Sequence, residues 1–312
     1  MTFAAVFPGQ GSQAVGMLAA FGDDYPQVKQ TFREASENLG YDLWALVQQG
    51  PEDRLNATER TQPALLTAGV ALWRVWQSRN GLTPAFMAGH SLGEYTALVC
   101  SGVLDFGMAV KLVEFRGQAM QQAVPTGTGA MAAVLGLEDD VVRGACAEAA
   151  QGQVVEAVNF NAPGQVVIAG NKAAVERAIE ACSARGAKRC IPLPVSVPSH
   201  CALMHPAAKQ LAGRLAGIKL ERPAIPVIHN VDVAAHSDPE AVKQALTAQL
   251  HSPVRWVETV QFLARQGVSN LIELGPGRVL TGLVKRIDKS LHIWPVHDPQ
   301  TLEAALAVVK NP

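Results

Sequence analysis

The pentapeptide Gly89-His90-Ser91-Leu92-Gly93 is the feature that most restricts how this chain can fold. It follows the apolar run at 85–88 and precedes residues 94–100, which are predicted to form a helix. A Gly-x-Ser-x-Gly pattern between a strand and a helix is typical of a nucleophile elbow, a sharp turn with a serine at its tip. The glycines permit the tight turn, and the first N–H groups of the helix lie beneath the serine. The pattern therefore predicts that Ser91 is a nucleophile that attacks a carbonyl group.

Strand and helix patterns alternate on both sides of this elbow. The predicted strands are 3–7, 85–88, 226–230 and 271–274, and the predicted helices are 42–49, 62–76, 105–122, 205–215, 239–250 and 254–265. Such an alternation favours a parallel sheet that is covered by helices on both faces. We therefore predict an α/β fold with a hydrolase-like, parallel-sheet large domain that carries the elbow.

The order of elements changes in the middle of the chain. The predicted elements there are a strand at 130–137, a helix at 138–150, strands at 154–159 and 165–169, a helix at 172–185 and a strand at 188–193. The order β-α-β-β-α-β is typical of a ferredoxin-like arrangement. We expect residues 125–194 to form a ferredoxin-like small domain, inserted into a large domain made of residues 1–124 and 195–312.

Composition excludes several classes of protein. Of 312 residues, 48% are hydrophobic and 17% charged, which is typical of a compact globular protein. The net charge of −1 provides no general attraction to nucleic acid or to an anionic membrane. Apolar stretches are too short for a membrane span or a secretion signal. Five scattered cysteines indicate reduced thiols and a cytoplasmic location, and no residue cluster has metal-ligand spacing.

A serine nucleophile needs a general base, and the chain offers eight histidines. His90 adjoins Ser91, but neighbouring side chains diverge across a sharp turn. His200 lies where the small domain is expected to return to the large one, and clefts form at such junctions. His205, one helical turn later, is the local alternative. Because no carboxylate between Ser91 and His200 stands in a suggestive pattern, a backbone carbonyl or an amide is expected to orient the imidazole.

Arg116 interrupts the apolar stripe of the predicted helix 105–122. A buried guanidinium must have a partner. One interpretation is an ion pair with a core carboxylate such as Glu94. The other is a carboxylate on the substrate, which the planar guanidinium suits. Two such hydrogen bonds would favour a dicarboxylic acyl group over acetyl by roughly a hundredfold or more. The residues alone leave both interpretations open.

Several motifs together resemble the malonyl-CoA:acyl carrier protein transacylases, in particular the stand-alone bacterial enzymes of fatty acid synthesis. The matching segments are 8–13 (Pro-Gly-Gln-Gly-Ser-Gln), 89–94, Arg116, 159–161, 163–165, 197–200, Gln249 and 275–277. They occur in the order and spacing of that family, and the similarity runs essentially end to end. Together they are far more specific than the elbow alone.

The resemblance implies a ping-pong transfer through a malonyl-serine. Ser91 would attack malonyl-CoA with His200 as base, and the acyl group would then pass to the phosphopantetheine thiol of acyl carrier protein. No cofactor would be bound, since the CoA thioester is a substrate. Further roles that the resemblance implies are an oxyanion hole at the N–H groups of Gln10 and Leu92, a malonyl carboxylate site at Arg116, and orientation of His200 by the chain around Gln249.

The carrier protein of this pathway is acidic, so a basic rim is expected near the cleft. We predict that Lys188 and Arg189 on the small domain, and Lys285 and Arg286 on a late helix, form that rim. The alternatives are a serine thioesterase or esterase, an acyltransferase of a polyketide or malonate decarboxylase system, and a non-catalytic scaffold that docks carrier proteins. No nucleic acid or membrane partner is expected.

Overall fold

The computed structural model describes residues 2–195 and 197–310. Four residues of the predicted large domain, 1, 196, 311 and 312, lie outside the described residues. The strands are β1 (Phe3–Phe7), β2 (Phe86–Gly89), β3 (Gly129–Leu135), β4 (Val155–Ala162), β5 (Gln165–Asn171), β6 (Arg189–Pro192), β7 (Val227–Ile228), β8 (Asn270–Leu274) and β9 (His292–Val296).

The helices before the second sheet are α1 (Ala19–Asp24), α2 (Pro26–Leu39), α3 (Leu43–Gln49), α4 (Glu52–Asn56), α5 (Thr58–Ser78), α6 (Leu92–Cys100) and α7 (Phe106–Gln122). The others are α8 (Asp139–Ala150), α9 (Lys172–Ala184), α10 (His205–Ala216), α11 (Pro239–Gln249), α12 (Trp256–Arg265), α13 (Val279–Ile287) and α14 (Pro299–Lys310), with a 3₁₀ turn at Ala202–Met204.

The first sheet has the strand order β7-β2-β1-β8-β9, and all its strand pairs are parallel. Successive side chains of a strand point to opposite faces. On β1, Phe3, Ala5 and Phe7 therefore enter one hydrophobic core, which helices such as α5 and α7 complete. Ala4 and Val6 enter a second core with α12 and α13. The predicted parallel sheet, covered on both faces, is confirmed.

The second sheet has the order β4-β5-β3-β6 with antiparallel neighbours, which is the ferredoxin-like arrangement. Helices α8 and α9 cover one face. The other face contributes Met131, Val158 and Val167 to a small core that includes Cys201, the residue after His200. The predicted fold class is thus confirmed, while the domain limits 125–194 remain a prediction.

Strand β4 is longer than predicted and also contacts a distant segment. The strand predicted at 154–159 continues to Ala162, because Phe160 and Ala162 pair with Val166 and Gln165 of β5. A separate bridge forms where Phe160 N–H donates to the oxygen of Val254 and Val254 N–H donates to the oxygen of Val158. This bridge lies outside the strand's own sheet, so local pattern does not reveal it. It joins the second sheet to the segment that follows Gln249.

Candidate active site

Ser91 lies at the turn between β2 and α6 with backbone angles φ 51° and ψ −107°. A Cβ at Gly89 would lie 1.9 Å from the carbonyl carbon of Gly93, and one at Gly93 would lie 2.1 Å from the oxygen of Phe7. Only glycine fits at both positions, because the helix starts directly against the strands. The elbow is therefore built by close backbone approach, and its strained residue is the candidate nucleophile.

Asn230, which lies two residues beyond the end of β7, forms hydrogen bonds with the elbow. Its Oδ1 accepts from Ser91 N–H at 2.8 Å, and its Nδ2 donates to the oxygen of Gly89 at 2.7 Å. Both contacts link residues about 140 positions apart in sequence, 139 and 141 respectively. Asn230 was not among the predicted site residues, although a polar residue at the end of a predicted buried strand, at the sheet edge that carries the elbow, is a usable signal.

His200 lies next to the serine. Its Nε2 is 2.8 Å from Ser91 Oγ, and its Nδ1 is 2.7 Å from the main-chain oxygen of Gln249. A carbonyl oxygen can only accept, so Nδ1 carries the proton and Nε2 is free to accept from the serine hydroxyl. Burial, and then the nearby charge of Arg116, lower the pKa of His200 to about 3. The imidazole is therefore neutral at pH 7 and can act as a base.

Arg116 on α7 is fully buried. Its Nη1 donates to Gln62 Oε1 at 2.8 Å and its Nη2 to Gln249 Oε1 at 2.9 Å, while Nη2 is also 3.4 Å from Ser91 Oγ. No carboxylate within the described chain makes an ion pair with it. The Arg116–Glu94 pair that the sequence left open is therefore absent, because Gln249 occupies the space between the two side chains.

Glu94 accepts three hydrogen bonds behind the elbow. Its Oε1 accepts from His229 Nδ1 at 2.7 Å, and its Oε2 accepts from Asn230 N–H at 3.0 Å and from Gln249 Nε2 at 2.8 Å. Burial lowers the pKa of His229, but the adjacent Glu94 carboxylate outweighs it and raises that pKa overall. This buried cluster connects the elbow to Gln249, and no sequence pattern indicated it.

The two predicted oxyanion-hole residues lie on two segments that meet at the elbow. Leu92 is the first residue of α6, so its N–H is among those that the helix leaves without an internal acceptor. Gln10 lies in the loop after β1, where a Cβ at Gly9 would be only 2.5 Å from the oxygen of His90. The side chain of Gln10 points elsewhere, with Nε2 3.3 Å from Thr58 Oγ1. The role of both N–H groups remains a prediction.

The other candidate histidines lie elsewhere. His90 turns away from the serine, and its Nε2 is 2.8 Å from Oδ1 of Asn161 on β4. His205, the alternative base, stacks on His251 with ring centroids 4.1 Å apart. Of the histidines considered, His200 is the one within hydrogen-bond distance of Ser91 Oγ.

The four predicted docking cations are exposed. Leu135 of β3 pairs with Arg189 on one side and with Gln165 on the other, and Arg286 on α13 donates to the side chain of Gln165. The pairs 188–189 and 285–286 therefore flank the same end of the second sheet. Their function as a carrier-protein site remains a prediction.

Within residues 2–195 and 197–310, no group of three or more His, Cys, Asp or Glu side chains is arranged to hold a metal ion. No helix in the described part of the chain combines the length and apolar character that a membrane crossing requires.

Fold and site together define an α/β enzyme in which His200 Nε2 and Nη2 of the buried Arg116 lie within hydrogen-bond distance of Ser91 Oγ. Residues 4–303 match the family model described as an acyl transferase domain. The malonyl CoA-acyl carrier protein transacylases of Salmonella typhimurium and Escherichia coli K12 are each 62% identical over 304 residues, covering 97% of this chain and 98% of theirs. The chain belongs to the acyl transferase family, as a member of its malonyl CoA-acyl carrier protein transacylases.

Solved structures agree with this assignment. An acyl carrier protein S-malonyltransferase from Vibrio cholerae has a TM-score of 0.96 at 65% identity, covering 97% of this chain and 99% of that one. A malonyl-transacylase solved in complex with a type II PKS acyl-carrier protein has a TM-score of 0.98 at 61% identity, covering 99% of this chain and 100% of that one.

Proposed function

We propose that this enzyme transfers malonyl from malonyl-CoA to the phosphopantetheine thiol of acyl carrier protein, through a malonyl ester on Ser91. The observation that carries the proposal is the convergence on Ser91 Oγ of His200 Nε2, 2.8 Å away, and Arg116 Nη2, 3.4 Å away. A base and an uncompensated cation beside one nucleophile suit an acyl group that bears a free carboxylate.

In the first half-reaction, Ser91 Oγ gives its proton to His200 Nε2 and bonds to the thioester carbonyl carbon. The N–H groups of Gln10 and Leu92 stabilise the oxyanion. Collapse of this intermediate breaks the C–S bond, and the CoA sulfur takes the proton from His200. The products are CoA thiol and malonyl-Ser91.

In the second half-reaction, the phosphopantetheine thiol gives its proton to His200 Nε2 and its sulfur attacks the ester carbon. The C–O bond to Ser91 breaks, and Oγ takes the proton back from His200. The thioester itself is the activated acyl donor, so the proposed reaction needs no bound cofactor. The Gln249 main chain orients His200 in both halves through the 2.7 Å contact with Nδ1.

Arg116 binds the malonyl carboxylate. Holding that end of the acyl chain keeps the ester in a narrow cleft, away from water, until the second thiol arrives. A thioesterase for neutral acyl groups would have no use for a buried cation. The arginine therefore supports a carboxylate-bearing acyl group.

Intact-mass measurement after incubation with malonyl-, methylmalonyl- and acetyl-CoA tests the proposal. We expect a malonyl adduct that maps to Ser91 and is absent in Ser91→Ala. On adding carrier protein, the adduct should move to the carrier. Accumulation of free malonate would instead indicate a thioesterase, and no adduct would indicate a carrier-docking scaffold.

The carrier is proposed to dock on Lys188, Arg189, Lys285 and Arg286. Charge reversal of Arg189 and Lys285 should raise the KM for carrier protein and leave acylation by malonyl-CoA unchanged. Equal loss of both half-reactions would contradict the docking site. A polyketide carrier is a second candidate, favoured by the 61% identical relative that was solved with one. Comparing KM for the two carrier types separates them.

The cytoplasm is the proposed location. All five cysteines are free thiols, and three of them (Cys146, Cys182 and Cys201) are buried. Reduced cysteines fit a reducing compartment.

A further inference from the structure

Arg116 is bound by neutral groups alone. Two side-chain oxygens, those of Gln62 and Gln249, accept hydrogen bonds from it at less than 3 Å. Both glutamines are fully buried, as is the arginine. An amide oxygen satisfies an N–H donor without cancelling its charge. The guanidinium is therefore fixed in place while its positive charge remains available.

This arrangement works only if each amide turns its oxygen toward Arg116. Gln62 does so because its Nε2 faces the sulfur of Met120, 3.6 Å away. Gln249 does so because its Nε2 donates to the main-chain oxygen of Ser91 at 3.0 Å and to Glu94 Oε2 at 2.8 Å. With both Nε2 protons directed at acceptors, Oε1 is left for Arg116.

Glu94 is the part of this arrangement that nothing in the reaction otherwise requires. A carboxylate has acceptors and no donors, so the N–H side of the Gln249 amide is the side that can face it. Glu94 is itself held by His229 Nδ1 and Asn230 N–H. A flipped Gln249 would place Nε2 against Arg116 and Oε1 against the carboxylate, which is unfavourable at both ends.

We propose that Glu94 is a positioning residue for malonyl selection: it fixes the Gln249 amide so that Arg116 is held, but not neutralised, beside Ser91. The side-chain amide of Gln249 lies between the Glu94 carboxylate and the Arg116 guanidinium. The substrate carboxylate therefore does not have to displace a protein carboxylate in order to bind. This inference rests on the proposed function of Arg116.

The direct test is Glu94→Gln. The substitution keeps the side-chain shape, but its carboxamide can present an N–H to Gln249, so the Gln249 amide is no longer confined to one orientation. We expect kcat/KM for malonylation of Ser91 by malonyl-CoA to fall about tenfold. This factor corresponds to the free energy of one charge-assisted hydrogen bond. Acylation by p-nitrophenyl acetate, which has no carboxylate on its acyl group, should change less than about twofold.

Glu273→Gln is the matched control. Glu273 is also a fully buried glutamate, and its carboxylate accepts from the N–H groups of Leu280 and Thr281 at the start of α13. It contacts none of Ser91, Arg116 or Gln249. Its substitution should lower thermal stability and leave the ratio of malonyl to acetyl acylation unchanged. A purely structural role of Glu94 would give the same result as this control.

Gln62→Glu tests the same idea if Glu94→Gln does not fold. It keeps an acceptor at the position now 2.8 Å from Arg116 Nη1 but adds a negative charge. We expect it to lower malonylation more than Gln62→Met, which removes the hydrogen bond without adding charge. Equal losses in these two variants would contradict the need for an uncompensated guanidinium.

The outcomes separate this inference from the proposed function. If wild-type enzyme forms no malonyl-Ser91, the proposed function fails. Two results with an active wild type would overturn the role of Glu94 and leave the proposed function standing. In the first, Glu94→Gln lowers malonyl and acetyl acylation by the same factor. In the second, it changes neither rate.

Discussion

The main-chain oxygen of Gln249 lies 2.7 Å from Nδ1 of His200. This contact fixes the imidazole tautomer that can accept the Ser91 proton. A carboxylate in the same place would also raise the pKa of the ring. The carbonyl orients the ring without adding a negative charge, so burial and the charge of Arg116 dominate and lower that pKa to about 3.

The pH dependence of acylation follows from this low pKa. The rate constant for malonylation of Ser91 should stay level as pH falls from about 7.5 to about 5.5, because His200 remains unprotonated below the ordinary histidine pKa of about 6.5. Rapid-quench mass measurement of malonyl-Ser91 checks this. A half-maximal rate near pH 6.5 would show that His200 titrates normally.

The same shift affects stability. Below about pH 6.5 the unfolded chain protonates this histidine, but the folded chain does not until about pH 3. The contribution of His200 to the free energy of unfolding is therefore fully present above about pH 6.5. It declines as pH falls from about 6.5 towards 3. His200→Gln should show a shallower loss of urea-unfolding free energy between about pH 6.5 and pH 5. Identical slopes for both proteins would contradict this.

Arg116→Ala should lower malonylation by about a hundredfold, since two charge-assisted hydrogen bonds to the malonyl carboxylate are lost. Neutral acyl groups should be accepted better than by wild type, because a buried positive charge no longer faces them. Arg74→Ala is the control, because Arg74 pairs with Glu34 and contacts no site residue. Comparing malonyl-CoA and acetyl-CoA turnover measures the change, and malonyl turnover near wild type would exclude the carboxylate site.

Gly93→Ala should destabilise the protein by about 3 kcal/mol or more, or prevent folding, because the new Cβ would lie 2.1 Å from the oxygen of Phe7. Gly213→Ala should instead stabilise it by about 0.5–1 kcal/mol, since that helical glycine has open space around its Cβ position. Urea denaturation of both variants measures the difference. Similar stabilities would mean that the strand–helix approach can relax.

Asn230→Ala should lower stability by about 1–3 kcal/mol, because Ser91 N–H and the oxygen of Gly89 lose their partner. It should also lower kcat for acylation, as the elbow loses its brace. Asn38→Ala on α2 removes a hydrogen bond to Glu34 far from the site and should leave kcat unchanged. An unchanged kcat in Asn230→Ala would restrict Asn230 to a structural role.

The sequence was sufficient to predict the elbow and both sheets. It also predicted that His200 lies next to Ser91. Gly89 and Gly93 mark a turn that no other residue can make, and residues 3–7 and 85–88 have the continuous apolar character of buried parallel strands. The element order β-α-β-β-α-β of residues 129–192 likewise follows from local pattern. These features depend on short-range sterics and hydrophobic periodicity, which neighbouring residues encode.

The partners of the site residues were decided by the tertiary structure alone. Arg116 meets Gln62 and Gln249 across sequence separations of 54 and 133 residues. A backbone carbonyl or an amide was expected to orient His200, but every residue has a main-chain carbonyl, so local pattern does not indicate that it is the one of Gln249. The sequence left open an ion pair between Glu94 and Arg116, but packing placed the Gln249 amide between them. Which polar groups meet in a buried site depends on how distant elements pack, and local pattern does not contain that information.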